Sequence, residues 1–174
     1  YLSQPLHARG HEVTVLTRSG EAQEEFSIHE THDNGLRIVR VINNLTKVET
    51  FRESYDNAFL DERFTQLLDC VQPDLVHFQH LALLSVSLLP LAADLGYPTI
   101  LSLHDFFFPC HLIHLIDTQG RFCPGPERGE RCVSCLQGAA TPEEIRRRFA
   151  RMEEVLRASD VIITSSVFLA RKIQ

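Results

Sequence analysis

The chain has no surplus of positive charge: 17 Lys and Arg stand against 23 Asp and Glu, for a formal net charge of -6 at pH 7. Without a broad basic face, and without basic residues interleaved with aromatics, a general nucleic-acid binder is excluded. A small zinc module contacting nucleic acid falls on the same ground. Long apolar runs are missing too. The longest, residues 81–93, is interrupted by serines and Pro90 and is too short to span a bilayer. Nor does the sequence open like a secretory leader, since Tyr1 leads into an amphipathic stretch rather than a basic segment followed by an apolar core. The expected setting is a reducing cytoplasm, where cysteines serve as metal ligands or free thiols more often than as disulfides.

What remains is an ordinary globular composition, 44% hydrophobic and 23% charged, over 174 residues. That length suits a single domain, residues 1–174, with a sizeable core. Residues 2–9 read as the last turns of a helix stopped by Gly10. Val13-Thr-Val-Leu-Thr17 follows as a strand, and residues 26–31 and 36–42 form a hairpin around Asp33-Asn34-Gly35, because Asn-Gly supplies the positive φ angles of a tight turn. Thr50 with Glu53 predicts a capping box opening a helix, with Phe51, Tyr55, Phe59, Leu67 and Val71 as its core-facing stripe.

Beyond Pro73 strands and helices alternate. Asp74-Leu-Val-His-Phe-Gln79 is a strand, residues 83–95 a helix bent or broken at Pro90, and Thr99-Ile-Leu-Ser-Leu103 a strand. Thr141-Pro-Glu-Glu144 begins a helix buried through Ile145, Phe149, Met152 and Leu156. Asp160-Val-Ile-Ile-Thr164 is the next strand, and Ser166 caps a last helix running to Gln174. Short crossovers between alternating elements imply an α/β fold with a doubly wound, mainly parallel sheet.

Ligands of such sheets bind outside the carboxyl ends of the strands. The polar residues there are His80, then His104-Asp105, then Thr164-Ser165-Ser166. His80, His104, Asp105, Ser165 and Ser166 are therefore the candidate site residues. His77, in mid-strand, is better explained by packing. The run Arg146-Arg-Arg148 with Arg151 could meet a lipid phosphate or an anionic membrane, so peripheral membrane contact stays open. With Glu143, Glu144, Glu153 and Glu154 nearby, a solvated, salt-bridged face is the better reading.

Four cysteines cluster after the strand-like run Thr99–Leu103: Cys110, Cys123, Cys132 and Cys135, in a C-x12-C-x8-C-x2-C array. The segment from Gly120 to Cys135 carries too much Gly and Pro for a long helix or strand, so something other than a core must order it. One structural Zn²⁺ held by the four thiolates would do so, with C-x2-C as the chelating knuckle. Disulfides and four reduced thiols are the other two readings. His111 and His114 are alternative ligands. Cys70, at a helix end, is expected as a half-buried thiol.

Four collinear segments carry a resemblance. Leu6-His-Ala-Arg-Gly-His-Glu-Val-Thr-Val-Leu-Thr17, Gln72-Pro-Asp-Leu-Val-His77, Gly96-Tyr-Pro-Thr-Ile-Leu-Ser-Leu-His-Asp105 and Ala158-Ser-Asp-Val-Ile-Ile-Thr-Ser-Ser166 resemble the N-terminal, acceptor-side domain of the retaining family-four glycosyltransferases. Phe106-Phe-Phe-Pro-Cys110 through Cys135 looks like the cysteine-bearing insertion of one subset, here residues 106–138. The resemblance implies one Rossmann-like half of a GT-B fold, lacking its first strand and the C-terminal donor half that grips the nucleotide sugar. It implies transfer of a sugar from a nucleotide-diphosphate donor to an acceptor hydroxyl, with retention. The acceptor would be a sugar, a glycan or a lipid-linked molecule, and residues 1–174 alone would be inactive. His104 matches the family's cleft histidine, which implies a catalytic contact with the transferring sugar; Asp105 is the runner-up for that role or orients the His104 ring, and His80, Ser165 and Ser166 would bind substrate. The contrasting expectation is a non-catalytic α/β module that binds a sugar or a protein through a zinc-stapled loop.

Overall fold

The computed structural model describes residues 2–21, 23–125 and 129–173. Gln174 and the loop residues 126–128, both covered by the expectations above, lie outside the described residues. The chain divides into two compact units, residues 1–49 and 50–174.

In the first unit, helix α1 (Ser3–Ala8) ends as expected before Gly10, whose φ is +91°. Strands β1 (Thr14–Ser19), β2 (Ile28–Asp33) and β3 (Leu36–Ile42) form a three-stranded sheet in the order β1-β3-β2. β2 and β3 are an antiparallel hairpin in which Asp33 pairs with Leu36. Asn34 and Gly35 both take positive φ, +48° and +82°, which is the two-residue turn that their sequence called for. β1 runs parallel to β3. Leu36, Val39, Val41 and Ile42 of β3 are buried, whereas β2 is exposed along its whole length.

The second unit opens with a departure from expectation. Thr50 and Glu53 do exchange bonds, Thr50 N–H to Glu53 Oε2 at 2.9 Å and Glu53 N–H to Thr50 Oγ1 at 3.3 Å. They close only a 3-10 turn, Arg52–Ser54. The helix itself, α2 (Ala58–Val71), starts at Asn57, whose Oδ1 accepts from the N–H groups of Phe59 and Leu60. Moving the start rotates the buried stripe to Leu60, Phe64 and Leu68, and it leaves Phe59 61% exposed. Asn57 in turn donates its backbone N–H to Ser85 Oγ at 3.0 Å, a partner 28 residues away that local sequence cannot supply.

Strands β4 (Val76–Phe78), β5 (Thr99–Leu103) and β6 (Val161–Thr164) form a wholly parallel sheet in that order. Asp160 fixes the register at its base: Oδ2 accepts from both Thr99 N–H and Thr99 Oγ1, and Thr99 Oγ1 accepts from Asp160 N–H. Helix α3 (Leu88–Asp94) is shorter than expected. Pro90 falls in its first turn, where the missing N–H has no intrahelical partner to lose, and the helix runs through it unbroken. A six-residue helix, α4 (Glu130–Cys135), precedes α5 (Pro142–Ala158), which begins with the full Thr141–Glu144 capping box. Ser166 Oγ accepts from Leu169 N–H and caps α6 (Val167–Ile173).

The buried side of α5 is Ile145, Arg148, Met152 and Val155: Ile145 and Met152 are buried as expected, while Arg148 and Val155 take the core places expected of half-buried Phe149 and Leu156. Leu88, Leu89 and Ala92 of α3, Leu101 of β5 and Val155 of α5 are at most 2% exposed. Each such aliphatic side chain larger than alanine contributes about 1.5–3 kcal/mol relative to exposure. The architecture is α/β, with parallel strands and crossing helices of the Rossmann-like kind. Among the described residues no helix is long and apolar enough to cross a membrane.

Candidate functional site

The carboxyl ends of β4 and β5 carry one connected polar network. His77 and Gln79 are two residues apart, so the pleat sends both side chains the same way. The Gln79 amide donates to His77 Nε2 at 2.9 Å, and Ser102 Oγ lies 2.8 Å from the same nitrogen. Since an amide nitrogen only donates, His77 Nε2 is the acceptor in both bonds and its proton sits on Nδ1. Burial first, and the nearby His104 second, hold the His77 pKa below the ordinary histidine range, which keeps the ring neutral. The other end of the Gln79 amide, Oε1, accepts from His104 Nε2 at 3.0 Å. His104 is therefore oriented through Gln79, and in its neutral form Nδ1 carries the lone pair.

A second pair sits beside it. His80 Nδ1 accepts from Ala82 N–H at 2.9 Å, which places the proton on Nε2 and points it at Asp105 Oδ2, 2.6 Å away. Asp105 Oδ1 accepts from Phe107 N–H at 2.8 Å. The carboxylate of Asp105 thus engages His80 and not the neighbouring His104 ring. Both nitrogens of His80 are occupied, while Asp105 keeps lone pairs beyond its two bonds. At the end of β6, Ser165 donates its N–H to Leu103 O at 3.3 Å, which sets Ser165 and Ser166 against the end of β5, both exposed.

Of the residues expected at this rim, His80 and Asp105 meet directly, whereas Gln79 links His104 to His77. The two serines are neighbours through backbone alone. Sequence reasoning overlooked Gln79 and Ser102 and undervalued His77. Period-two spacing after Pro73 is the signal that could have paired His77 with Gln79.

The cysteine segment forms a second cluster. Cys110, Cys123, Cys132 and Cys135 line one cavity of about 20 Å³ and are free thiols. Cys132 and Cys135 are one turn apart on α4. Burial pushes the Cys132 thiol up to about 11, and the other three cysteines act on it in the same direction. His111 lines this cavity too. Its Nδ1 is buried without a hydrogen-bond partner, its ring packs 4.8 Å from Phe51, and burial followed by the Arg148 charge pushes its pKa down to about 4. His114 is exposed and uses Nδ1 to accept from Ile116 N–H. Among the described residues, no group of three or more His, Cys, Asp or Glu side chains is set to hold a metal ion. Cys70 is exposed near the end of α2, not half-buried, because its position falls off the Leu60–Phe64–Leu68 stripe.

The arginine run divides. Arg146 and Arg147 share Glu143, Arg151 pairs with Glu154, and Arg157 with Glu153, as a salt-bridged face requires. Arg148 does not belong to that face. It is 1% exposed, and it donates to the backbone carbonyls of Phe107 and Phe108. Its guanidinium lies 5.6, 5.3 and 5.9 Å from the ring centres of Tyr55, Phe107 and Phe149. Burial lowers its pKa to about 10, so it remains a cation at neutral pH.

A parallel sheet with imidazoles, an amide and a carboxylate at one rim is a Rossmann-like arrangement, and in such sheets the strand ends are where ligands bind. The chain belongs to Glycosyltransferase Family 4, whose family profile matches residues 1–174. The match supports the N-terminal domain of a GT-B glycosyltransferase. No curated protein and no solved structure matches the chain.

Proposed function

We propose that residues 1–174 are the acceptor-side domain of a retaining glycosyltransferase, which transfers a sugar from a nucleotide-diphosphate donor to an acceptor hydroxyl. The observation that carries this reading is the Gln79-oriented His104 beside the His80–Asp105 pair at the strand ends of a Glycosyltransferase Family 4 chain. Neutral His104 offers Nδ1 to a hydroxyl of the transferring sugar. Gln79 holds that ring before charge develops on an oxocarbenium-like transition state, so little reorganisation is needed at the moment of reaction.

Asp105, fixed by His80 and by Phe107 N–H, accepts from the incoming hydroxyl of a sugar, glycan or lipid-linked acceptor. Ser165 and Ser166 border that position. In this reading the nucleotide sugar is gripped mainly by a donor-side half. A cytoplasmic setting fits this reading, because nucleotide sugars are made and used there.

The test is nucleoside-diphosphate release by the full-length protein against a panel of nucleotide sugars and acceptors. His104→Ala is expected to lower turnover by roughly 10²–10³-fold, the scale for one lost transition-state hydrogen bond. Gln79→Ala, acting only through His104, is expected to fall less. Full activity in His104→Ala would refute the assignment, and sugar binding without transfer by the full-length protein would make the domain a binding module.

A further inference from the structure

Arg148 poses an electrostatic problem that the strand-end site does not answer. Its guanidinium is almost wholly buried, yet no carboxylate pairs with it among the described residues. Its two protein partners are neutral carbonyls, and its Nε is buried without any hydrogen-bond partner. A buried cation normally sits against an anion, because desolvation otherwise works against the fold. The groups near it that could become anionic are the Tyr55 hydroxyl and thiols. Cys110 and Cys132 lie close enough to Arg148 to act on its charge, and the carbonyls it holds belong to Phe107 and Phe108, just ahead of Cys110.

The four thiols converge on one cavity of about 20 Å³, room for roughly a single particle the size of a water molecule. They arrive from three directions: Cys110 from the turn after β5, Cys123 from the stretch that follows the Ile116–Phe122 bridge, and Cys132 with Cys135 from α4. Each approach is anchored. Cys110 N–H donates to Phe106 O at 2.8 Å, and Cys123 N–H to Leu115 O at 2.8 Å, where Leu115 is 1% exposed. Gly129, buried at the start of α4 with φ +95°, lets α4 sit on α5 so closely that any Cβ there would collide with Ile145 Cγ2.

We propose that Cys110, Cys123, Cys132 and Cys135 form a structural Zn²⁺ site whose tetrathiolate charge is partly offset by buried Arg148. The four S–H protons leave as the metal binds, and the resulting zinc tetrathiolate is a dianion. Side-chain rotation draws the sulfurs from the cavity wall onto the ion. Arg148 then gains the anion that its burial lacks, with Nε available to donate to a ligand sulfur. His111 Nδ1, unpartnered among the described residues, lines the same cavity and is a second such donor in the tautomer that protonates it. All four coordination positions are filled by sulfur, so the ion organises the segment and takes no part in transfer.

The test is elemental analysis of the protein purified under reducing conditions, together with Co²⁺ substitution, which reports tetrahedral thiolate ligation by its charge-transfer and ligand-field bands. One equivalent of zinc per chain and a tetrahedral thiolate spectrum are expected. Cys132→Ser and Cys135→Ser should each abolish stoichiometric zinc, whereas His111→Ala should retain it. Arg148→Met should weaken zinc affinity by roughly 10–100-fold, and Arg148→Lys, which keeps the charge, by less. Reduced, folded protein without zinc, or native Cys–Cys disulfides within the four, would overturn the site. Loss of zinc in His111→Ala but not in Cys110→Ser would overturn the four-sulfur set, and unchanged affinity in Arg148→Met would overturn the counter-charge.

Discussion

Replacing Arg148 by methionine keeps most of the side chain's length and removes its charge and donors. The guanidinium makes two charge-assisted bonds to buried carbonyls, those of Phe107 and Phe108. Such bonds are worth about 1.5–3 kcal/mol each, so about 3–6 kcal/mol is lost with them. Its placement over the rings of Tyr55, Phe107 and Phe149 adds about 2 kcal/mol in total. Against this stands relief. A pKa pushed down to about 10 means that burial disfavours the cation by about 3 kcal/mol, and methionine escapes that cost. The hydrogen bonds win, and Arg148→Met is expected to destabilise residues 50–174 by about 2–5 kcal/mol. Arg148→Lys keeps the charge but cannot reach both carbonyls with one planar fork, so a smaller loss is expected. Urea unfolding followed by far-ultraviolet circular dichroism measures both. A methionine variant within about 0.5 kcal/mol of the parent, well inside the range of ordinary surface changes, would show that the two carbonyls have other partners and refute the reasoning.

Two further outcomes follow from buried geometry. Burial, opposed by a hydrogen bond with the Ser85 side chain, raises the Asp61 pKa to about 6, above its ordinary value of 3.8, and its Oδ1 has no hydrogen-bond partner among the described residues. The protonated carboxyl is the form that the fold tolerates, so this contribution is fully present below about pH 4 and is lost as pH rises through about 6. Asp61→Asn is therefore expected to be more stable than the parent at pH 8, by about 1 kcal/mol once partial solvent screening is allowed for, and equal to it near pH 4. Urea midpoints at the two pH values check this, and an asparagine variant weaker at pH 8 would contradict it. Gly129→Ala combines left-handed backbone strain with a collision against Ile145 and should cost about 2–5 kcal/mol. Gly138→Ala, at φ +84° with open space around its Cβ, should cost only the strain; equal losses in thermal unfolding would show that α4 does not rest on α5 through Gly129.

Local chemistry settled those elements whose signals lie within a few residues. The Asn34–Gly35 turn, the Thr141–Glu144 box and strand β5 match the sequence reading because steric and capping preferences act at short range. The rim of polar residues was legible for a similar reason: in an alternating α/β pattern, strand ends can be located by counting. Where the reading slipped, a distant partner had intervened. Thr50 and Glu53 exchange the right bonds, yet α2 begins at Asn57, which Ser85 holds from 28 positions along the chain. Phe59 consequently faces water, and Leu60 takes the core position expected of it.

Arg148 makes the division clearest. Nothing in Arg146-Arg-Arg148 distinguishes the third arginine from its neighbours, and the glutamates around it predict a surface. Only the packing of α5 against the start of the cysteine segment buries that one guanidinium while Arg146 and Arg147 share Glu143 outside. In the same way, sequence named His80, His104 and Asp105, but pairing them needed β4 and β5 side by side. Adjacent parallel strands put Asp105 against His80 and gave His104 to Gln79, residues 25 apart in each case. Residue type and spacing determine which groups are available. The register between elements decides which of them touch, because hydrogen bonds and burial act over ångströms and not along the chain.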